Sequence, residues 1–172
     1  MAKQTGRMTR LALCGALALV LSYLETLLPP LYPAVPGIKL GLANAIVIFV
    51  LYCFGVRSAA CVSALRLCMM TLLFGNVMAL LYSLAGATLS LCVMVLLKKL
   101  GWFSPVGVSV SGGICHNLGQ ILAAMVILQT KEIGYYLPVL ILTGTVAGIF
   151  VGLLGVYLMN KIGNVAKREG ET

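Results

Sequence analysis

The chain has 172 residues, of which 61% are hydrophobic and only 9% are charged, and its mean hydropathy is +1.08. Soluble domains carry about 25% charged residues, so the composition argues against a soluble enzyme, a nucleic-acid binder and a disordered chain. It favours an integral membrane protein. The net charge of +8 comes from cations that lie between apolar runs and near both ends, a pattern typical of membrane topology signals.

Apolar runs separated by breaks follow one another along the whole chain. A membrane helix needs about 20 mostly apolar residues, and proline, glycine and charge mark where each run ends. The run at residues 58–97 is too long for one span, and Gly75 and Asn76 provide its break. The sequence therefore predicts an all-α integral membrane protein of six transmembrane helices, forming one domain over residues 1–172. The predicted spans are residues 11–28, 38–54, 58–74, 77–97, 106–128 and 137–160.

The distribution of cations predicts the orientation of these helices. Cytoplasmic segments of membrane proteins are enriched in Lys and Arg. With both termini in the cytoplasm, nine cations lie inside and two, Lys39 and Lys131, lie outside. Cleavage of the first run as a signal peptide is the alternative, but it would disturb this charge bias. The nine predicted cytoplasmic cations are Lys3, Arg7, Arg10, Arg57, Lys98, Lys99, Lys161, Lys167 and Arg168.

Polar and ionisable side chains at membrane depth are the candidate ligand-binding residues, because such groups are costly in lipid. Helix rise places most of them in the outer half of the bilayer, beneath the proline-rich loop at residues 29–37. An outward-open polar cavity would bring them together. The candidates are Glu25, Lys39, Asn44, Arg66, Tyr82, His116, Asn117 and Gln120.

Each candidate also has a structural interpretation. Glu25 and Lys39 are predicted to lie at the interface, where they could form a salt bridge with each other. Arg66 could bind helix-end carbonyls, and the polar residues of the fifth span could bond neighbouring helices. Helix rise places Glu25 about 10 Å or more above Arg66, so the sequence predicts no direct carboxylate partner for Arg66.

Small residues form close-approach patterns on the first and last spans. Ala12 and Ala16 are four residues apart, as are Gly144, Gly148 and Gly152. Such faces allow helices to approach closely. The sequence leaves open whether the glycines pack internally or dock another membrane subunit.

The residue inventory limits the chemistry of the chain. It has no Asp, four Glu and a single His, so it lacks the clustered carboxylates that hold Mg²⁺ in diphosphate enzymes. The six Cys lie in apolar runs without a C-x-x-C pair and are interpreted as small buried hydrophobic residues. No metal and no cofactor is expected. An intramembrane enzyme built on His116 is disfavoured, because no acid is predicted near it to orient the imidazole.

Several stretches together resemble the bacterial family called Gx transporter or heptaprenyl diphosphate synthase component I. They are PGIKLGLAN (36–44), Arg66, YSLAG (82–86), GVSVSGGICHNLGQ (107–120) and YLPVL (136–140). The resemblance covers residues 8–160, and the family looks related to the substrate-binding S components of energy-coupling factor (ECF) transporters. It implies a six-helix bundle with an outward-facing site and a docking motif on helix one, which Ala12 and Ala16 match by spacing. No familiar vitamin-binding signature is present.

Two functions follow as expectations. The first is a substrate-binding subunit in the cell membrane that takes up a small molecule, favoured to be anionic, with a separate transmembrane coupling subunit and ATPases. The chain has no phosphate-binding loop of its own. The alternative is a non-catalytic accessory component of heptaprenyl diphosphate synthesis, in which another chain would carry the Asp-rich motifs. Neither function involves nucleic acid.

Overall fold

The structure is a computed structural model that describes residues 2–27, 42–74 and 77–168. These residues form six α-helices and one short 3₁₀ helix and contain no strand, so the prediction of an all-helical protein is confirmed. The helices are α1 (Ala2–Leu27), α2 (Leu42–Cys53), α3 (Val56–Phe74), α4 (Val77–Leu100), α5 (Pro105–Leu128) and α6 (Leu137–Arg168), with the 3₁₀ helix Glu132–Tyr136 before α6.

Five helices are long and apolar enough to cross a membrane, which identifies a multi-pass membrane protein. The sixth, α2, has 12 residues and covers about 18 Å, less than the roughly 30 Å of a hydrocarbon core. The predicted break after residue 74 is where α3 ends. The proline-rich loop, Lys39 and Asn76 lie outside the described residues.

Local chemistry fixes several helix ends. The Ser104 side chain accepts a hydrogen bond of 3.2 Å from the backbone N–H of Gly107, and Pro105 occupies the first turn of α5, where its missing N–H costs nothing. Gly55 follows α2 with φ +91°, and Gly101 follows α4 with φ +72°. These left-handed conformations suit glycine and end both helices.

One hydrophobic core joins five helices toward the end of the bundle where α2 terminates. It contains Ala18 of α1, Val50 of α2, Val62 of α3, Met94 of α4 and Val108 of α5, all buried. Leu158 and Met159 of α6 pack against it. A smaller cluster at the opposite end holds Ile121 of α5 and Leu140 of α6.

Two cations from other helices cap the carbonyl end of α2. Lys98 Nζ donates to the carbonyl oxygen of Leu51 at 2.6 Å and lies 4.7 Å from the ring centroid of Tyr52. Arg7 donates to the carbonyl oxygen of Phe54 at 3.0 Å. Leu51 is in the last turn of α2, where the helix leaves its carbonyls without a donor, and Phe54 is the residue that follows the helix. Both cations complement the helix dipole.

Glycines bring α4, α5 and α6 into close contact. A Cβ atom on Gly113 would lie 2.5 Å from the Gly144 carbonyl oxygen, and one on Gly148 would lie 2.6 Å from Val110 Cα. Gly152 is equally confined, with Val106 Cα at 2.9 Å. Gly144, Gly148 and Gly152 of α6 therefore pack internally, against α5.

The cysteines correct one expectation. Only Cys14 is buried, and Cys115 is half-buried. The other four, Cys53, Cys61, Cys68 and Cys92, are exposed on the outside of the bundle, and all six are free thiols. An apolar helix in lipid has no need to bury its small hydrophobic residues, so an apolar run does not predict which face they take.

Candidate ligand-binding site

Glu25 lies near the end of α1 and reaches the start of α2. Its side chain is only 8% exposed, and its carboxylate Oε1 accepts a hydrogen bond from the backbone N–H of Leu42. Leu42 is the first residue of α2, so this N–H has no acceptor within the helix. A negative charge is also favourable at this position because it faces the positive end of the helix dipole.

Arg66 lies on α3 and is 7% exposed. Within the described part of the chain, its Nε–H is a buried donor that has no hydrogen-bond acceptor. Most buried polar groups in proteins are hydrogen-bonded, so this atom marks Arg66 as unusual.

α1, which carries Glu25, packs against α3, which carries Arg66. The expectation that Arg66 has no direct carboxylate partner stays a prediction. Glu25, the Leu42 N–H that it accepts from, and Arg66 are buried polar groups of α1, α2 and α3, and we refer to the three together as the α1–α3 cluster.

Asn44 lies on α2, two residues after Leu42, and is half-buried. This position is next to the α1–α3 cluster along the chain. Lys39, the other cation predicted for the site, lies outside the described residues.

His116 and Gln120 face α4 at Gly86. A Cβ atom on Gly86 would lie 2.6 Å from the His116 carbonyl oxygen, 2.8 Å from Gln120 Cγ and 3.1 Å from His116 Nδ1. Both side chains are half-buried. Tyr82, also half-buried, lies about one turn before Gly86 on the same helix. The predicted i, i+4 pair therefore shares a face, and that face packs on α4.

The side chain of Asn117 is directed toward α6. Its side chain is 9% exposed, and Nδ2 donates to the carbonyl oxygen of Leu140 on α6 at 2.7 Å. Asn117 Nδ2 also lies 2.9 Å from the position that a Cβ on Gly144 would take. This residue bonds α5 to α6.

The predicted site residues thus form an α1–α3 cluster, an α4–α5 group and an α5–α6 bond. α5 packs against α4 and α6, whereas α3 packs against α1, α2 and α4. A single cavity shared by Arg66 and His116 stays a prediction.

Two contributors were missed from the sequence. The backbone N–H of Leu42 carries no side-chain signal, and only the packing of α1 against α2 reveals it. Gly86 lies inside the YSLAG stretch, but a lone helical glycine does not show which helix approaches it. The availability of the Leu42 N–H could be recognised only once the first residue of α2 was known.

Ala12 and Ala16 are exposed on the outer face of α1. Large apolar side chains surround them on the same surface, among them Met8, Leu13 and Val20. The predicted docking pair is therefore accessible from the lipid phase.

A model of the family described as heptaprenyl diphosphate synthase component I matches residues 14–158 of the chain. Neither the curated proteins nor the solved structures contain a significant match. The matched residues include the α1–α3 cluster and the α4–α5 group.

Proposed function

Since the chain belongs to the heptaprenyl diphosphate synthase component I family, we propose that it is the membrane-embedded, non-catalytic component of heptaprenyl diphosphate synthesis. The family match over residues 14–158 carries this proposal. The word "component" implies a partner subunit. Because this sequence contains no Asp, the metal-dependent prenyl transfer is assigned to that partner.

The membrane position suits this role. A growing prenyl chain is apolar, and its transfer from water into lipid is favourable. A membrane component could hold the partner where its product leaves water. The described helices supply a lipid-facing surface with many exposed large apolar side chains.

Co-purification tests this function. The tagged full chain, extracted from its native membrane in mild detergent, is expected to retain a prenyl diphosphate synthase. Deletion of the gene is expected to reduce heptaprenyl products in extracted lipids. Unchanged heptaprenyl products together with no retained synthase would reject the proposal.

A second candidate function is the uptake of a small molecule, with this chain as the substrate-binding subunit. The exposure of Ala12 and Ala16 favours it, because small residues on a lipid-facing helix permit close approach of another membrane helix. The ligand would be a small molecule, favoured to be anionic by Arg66, and a transmembrane coupling subunit with ATPases would supply the energy.

Bulky substitutions separate the two functions. Ala12→Trp combined with Ala16→Trp is expected to abolish the capture of a coupling subunit while the protein stays folded. Ala64→Trp is the matched control, since Ala64 is exposed on α3. Equal capture by both variants would rule out the α1 face as the docking surface.

The orientation is part of the proposal. Both termini lie in the cytoplasm, and the predicted span at residues 38–54, of which α2 is the described part, makes the sixth pass across the cell membrane. The bias of cations toward the predicted inner segments supports this orientation.

A further inference from the structure

Two cations from different helices converge on the carbonyl end of α2. Lys98 of α4 donates 2.6 Å to the carbonyl oxygen of Leu51, and Arg7 of α1 donates 3.0 Å to that of Phe54. The backbone N–H of Phe54 still bonds to the carbonyl oxygen of Val50, so the helical turn continues through this residue. Residues three apart on a helical turn are neighbours, about 5–6 Å apart, so the two cations are attached at adjacent points.

Arg57 brings a third cation to the same place. It is exposed in the first turn of α3, three residues after Phe54. The dipole of α3 disfavours a cation at this position, so the stability of that helix does not account for Arg57. Arg7, Arg57 and Lys98 thus come from three helices to the turn between α2 and α3, and we refer to them as the basic site.

The basic site can be reached from outside the bundle. Arg7 and Arg57 are exposed, and Lys98 is half-buried. The Lys98 ammonium has three N–H donors and the Arg7 guanidinium has five, whereas each of the two bonds to carbonyls uses one donor. Those bonds also hold both side chains in place, which lowers the entropy cost of binding a further group.

No acid in the described part of the chain neutralises the basic site. The acids among these residues are Glu25, which bonds to the start of α2, and Glu132, which lies between α5 and α6. α2 runs from Glu25 to the basic site, and α5 runs from the end of α4 toward Glu132, so both acids lie at the opposite end of the bundle. The excess of positive charge favours an anionic group at the basic site.

The chain beyond Lys98 exposes large apolar side chains together with charge. Lys99, Leu100 and Phe103 are exposed, and Trp102 is 84% exposed. Tryptophan is enriched at the headgroup level of membranes, because its ring is apolar and its N–H is polar. A phospholipid offers a phosphate to the cations and acyl chains to the apolar side chains, whereas an acidic protein surface offers only the charge. The surface therefore favours a lipid.

We propose that the basic site binds the headgroup of an anionic phospholipid from the leaflet at this end of the bundle. The lipid phosphate accepts hydrogen bonds from the available donors of Arg7, Arg57 and Lys98. Basic surfaces at the ends of transmembrane helices suit anionic headgroups because the charges are complementary. The site rests on these contacts and charges, and it does not depend on either proposed function.

The test uses Trp102 as its reporter, because it is the only tryptophan in the sequence. The full chain is reconstituted in phosphatidylcholine bilayers with increasing fractions of dibrominated phosphatidylglycerol or dibrominated phosphatidylcholine. Bromine quenches tryptophan fluorescence on contact, so the two curves give the relative affinity of the anionic and the zwitterionic lipid. Phosphatidylglycerol is expected to bind at least about fivefold more tightly.

Substitutions assign this preference to the basic site. Arg7→Gln combined with Arg57→Gln is expected to reduce it to less than about twofold, and Arg57→Gln alone serves if the double variant fails to fold. Lys98→Arg keeps the charge and is expected to keep the preference. Lys131→Gln removes an exposed cation from the opposite end and is expected to leave the preference unchanged. Quenching by dibrominated phosphatidylcholine is expected to be the same in all variants.

Equal affinity for the two lipids would overturn the proposal and would leave the cations to an acidic protein partner. A preference that persists in the Arg7 and Arg57 variants, or one that Lys131→Gln lowers equally, would also overturn it. Soluble glycerol 3-phosphate is expected not to compete with phosphatidylglycerol. Competition as strong as that of the lipid would identify a free phosphate as the ligand and reject the lipid.

Discussion

Asn117 shows how a polar residue in an apolar helix can serve packing. Its amide donates 2.7 Å to the Leu140 carbonyl oxygen, and the bond is buried between α5 and α6. Interhelical hydrogen bonds in membranes contribute about 0.6 kcal/mol on average, up to about 1.7 kcal/mol. The position between two helices gives Asn117 a structural task independent of any ligand.

Asn117→Ala is therefore expected to destabilise the protein by about 1 kcal/mol. The midpoint of SDS-induced unfolding in micelles measures this effect. Gln129→Ala is the control, because Gln129 is exposed and its side chain bonds to Val126 of the helix that it follows, and not to another helix among the described residues. An equal loss of stability in Gln129→Ala would contradict the importance of the bond between Asn117 and Leu140.

Residue types and depths could be read from the sequence, but partners could not. Glu25, Arg66 and Asn117 are identifiable because polar groups in apolar runs are few. Their partners depend on helix rotation and tilt, which determine whether Asn117 faces α6 or the α1–α3 cluster. The pairing of Glu25 with a backbone N–H depends on where α2 begins, and hydropathy does not specify that position.

At the scale of helices, α2 is held at its carbonyl end by side chains from α1 and α4. Lys98 was predicted only as a topology signal, and the structure adds its bond to Leu51 and its contact with the Tyr52 ring. A cation at the end of a helix contributes through the dipole, the hydrogen bond and the aromatic ring. Lys98 thus links α4 to α2.

Lys98→Met is expected to lower the free energy of unfolding by about 1–2 kcal/mol, because the Leu51 carbonyl loses its side-chain donor. Lys99→Met makes the same change at the adjacent exposed residue and is expected to stay within about 0.5 kcal/mol of the native value. Unfolding of both variants in micelles provides the measurement. Equal losses would show that charge at this end, and not the bond to Leu51, governs stability.

The α5–α6 contact makes a second prediction at this scale. Gly148→Ala would place a Cβ 2.6 Å from Val110 Cα, so the helices must separate. The expected cost is about 1–3 kcal/mol, as for other overpacked positions. Gly15→Ala is the matched control, because its Cβ would meet only Leu65 Cδ2 at an ordinary 3.6 Å. That variant is expected to be neutral or slightly stabilising, and a larger loss there than at Gly148 would contradict the packing argument.

The sequence predicts the end of a helix where glycine or proline stops it. It does not predict the end where the helix continues beyond the apolar run. The break after residue 74 and the start of α5 at Pro105 follow from glycine and proline. α1 begins at Ala2 and α6 continues to Arg168, well past the apolar runs. The hydropathy of the sequence indicates which residues can lie in lipid, whereas the backbone hydrogen bonds of a helix continue beyond those residues.

At the scale of the whole molecule, the helices form two halves of different character. α4, α5 and α6 approach through glycines, whereas the buried charged residues, Glu25 and Arg66, lie on α1 and α3. Contacts of α2 with α6 and of α3 with α4 join the halves. The sequence predicted the number and order of helices, but not this division, because contacts between distant helices leave no periodic signal.

The orientation of the molecule is testable with reporters. Alkaline phosphatase fused after Thr172 is expected to be inactive, and green fluorescent protein at the same position is expected to fluoresce, because the C-terminus is proposed to be cytoplasmic. Alkaline phosphatase inserted at Lys131 is expected to be active. The reverse pattern would contradict the proposed orientation, which rests on the cation bias.

Gly112 and Gly113, neighbours on α5, differ in whether a second substitution could make room for a side chain in their place. A Cβ on Gly112 would meet the side chain of Met94 at 2.7 Å, so a smaller residue at position 94 could make room for alanine. A Cβ on Gly113 would meet the carbonyl oxygen of Gly144 at 2.5 Å, and no side-chain substitution removes a backbone atom. Gly112 can therefore change through a compensated pair of mutations. No substitution at a second position makes room for alanine at Gly113, so that replacement requires α6 itself to move.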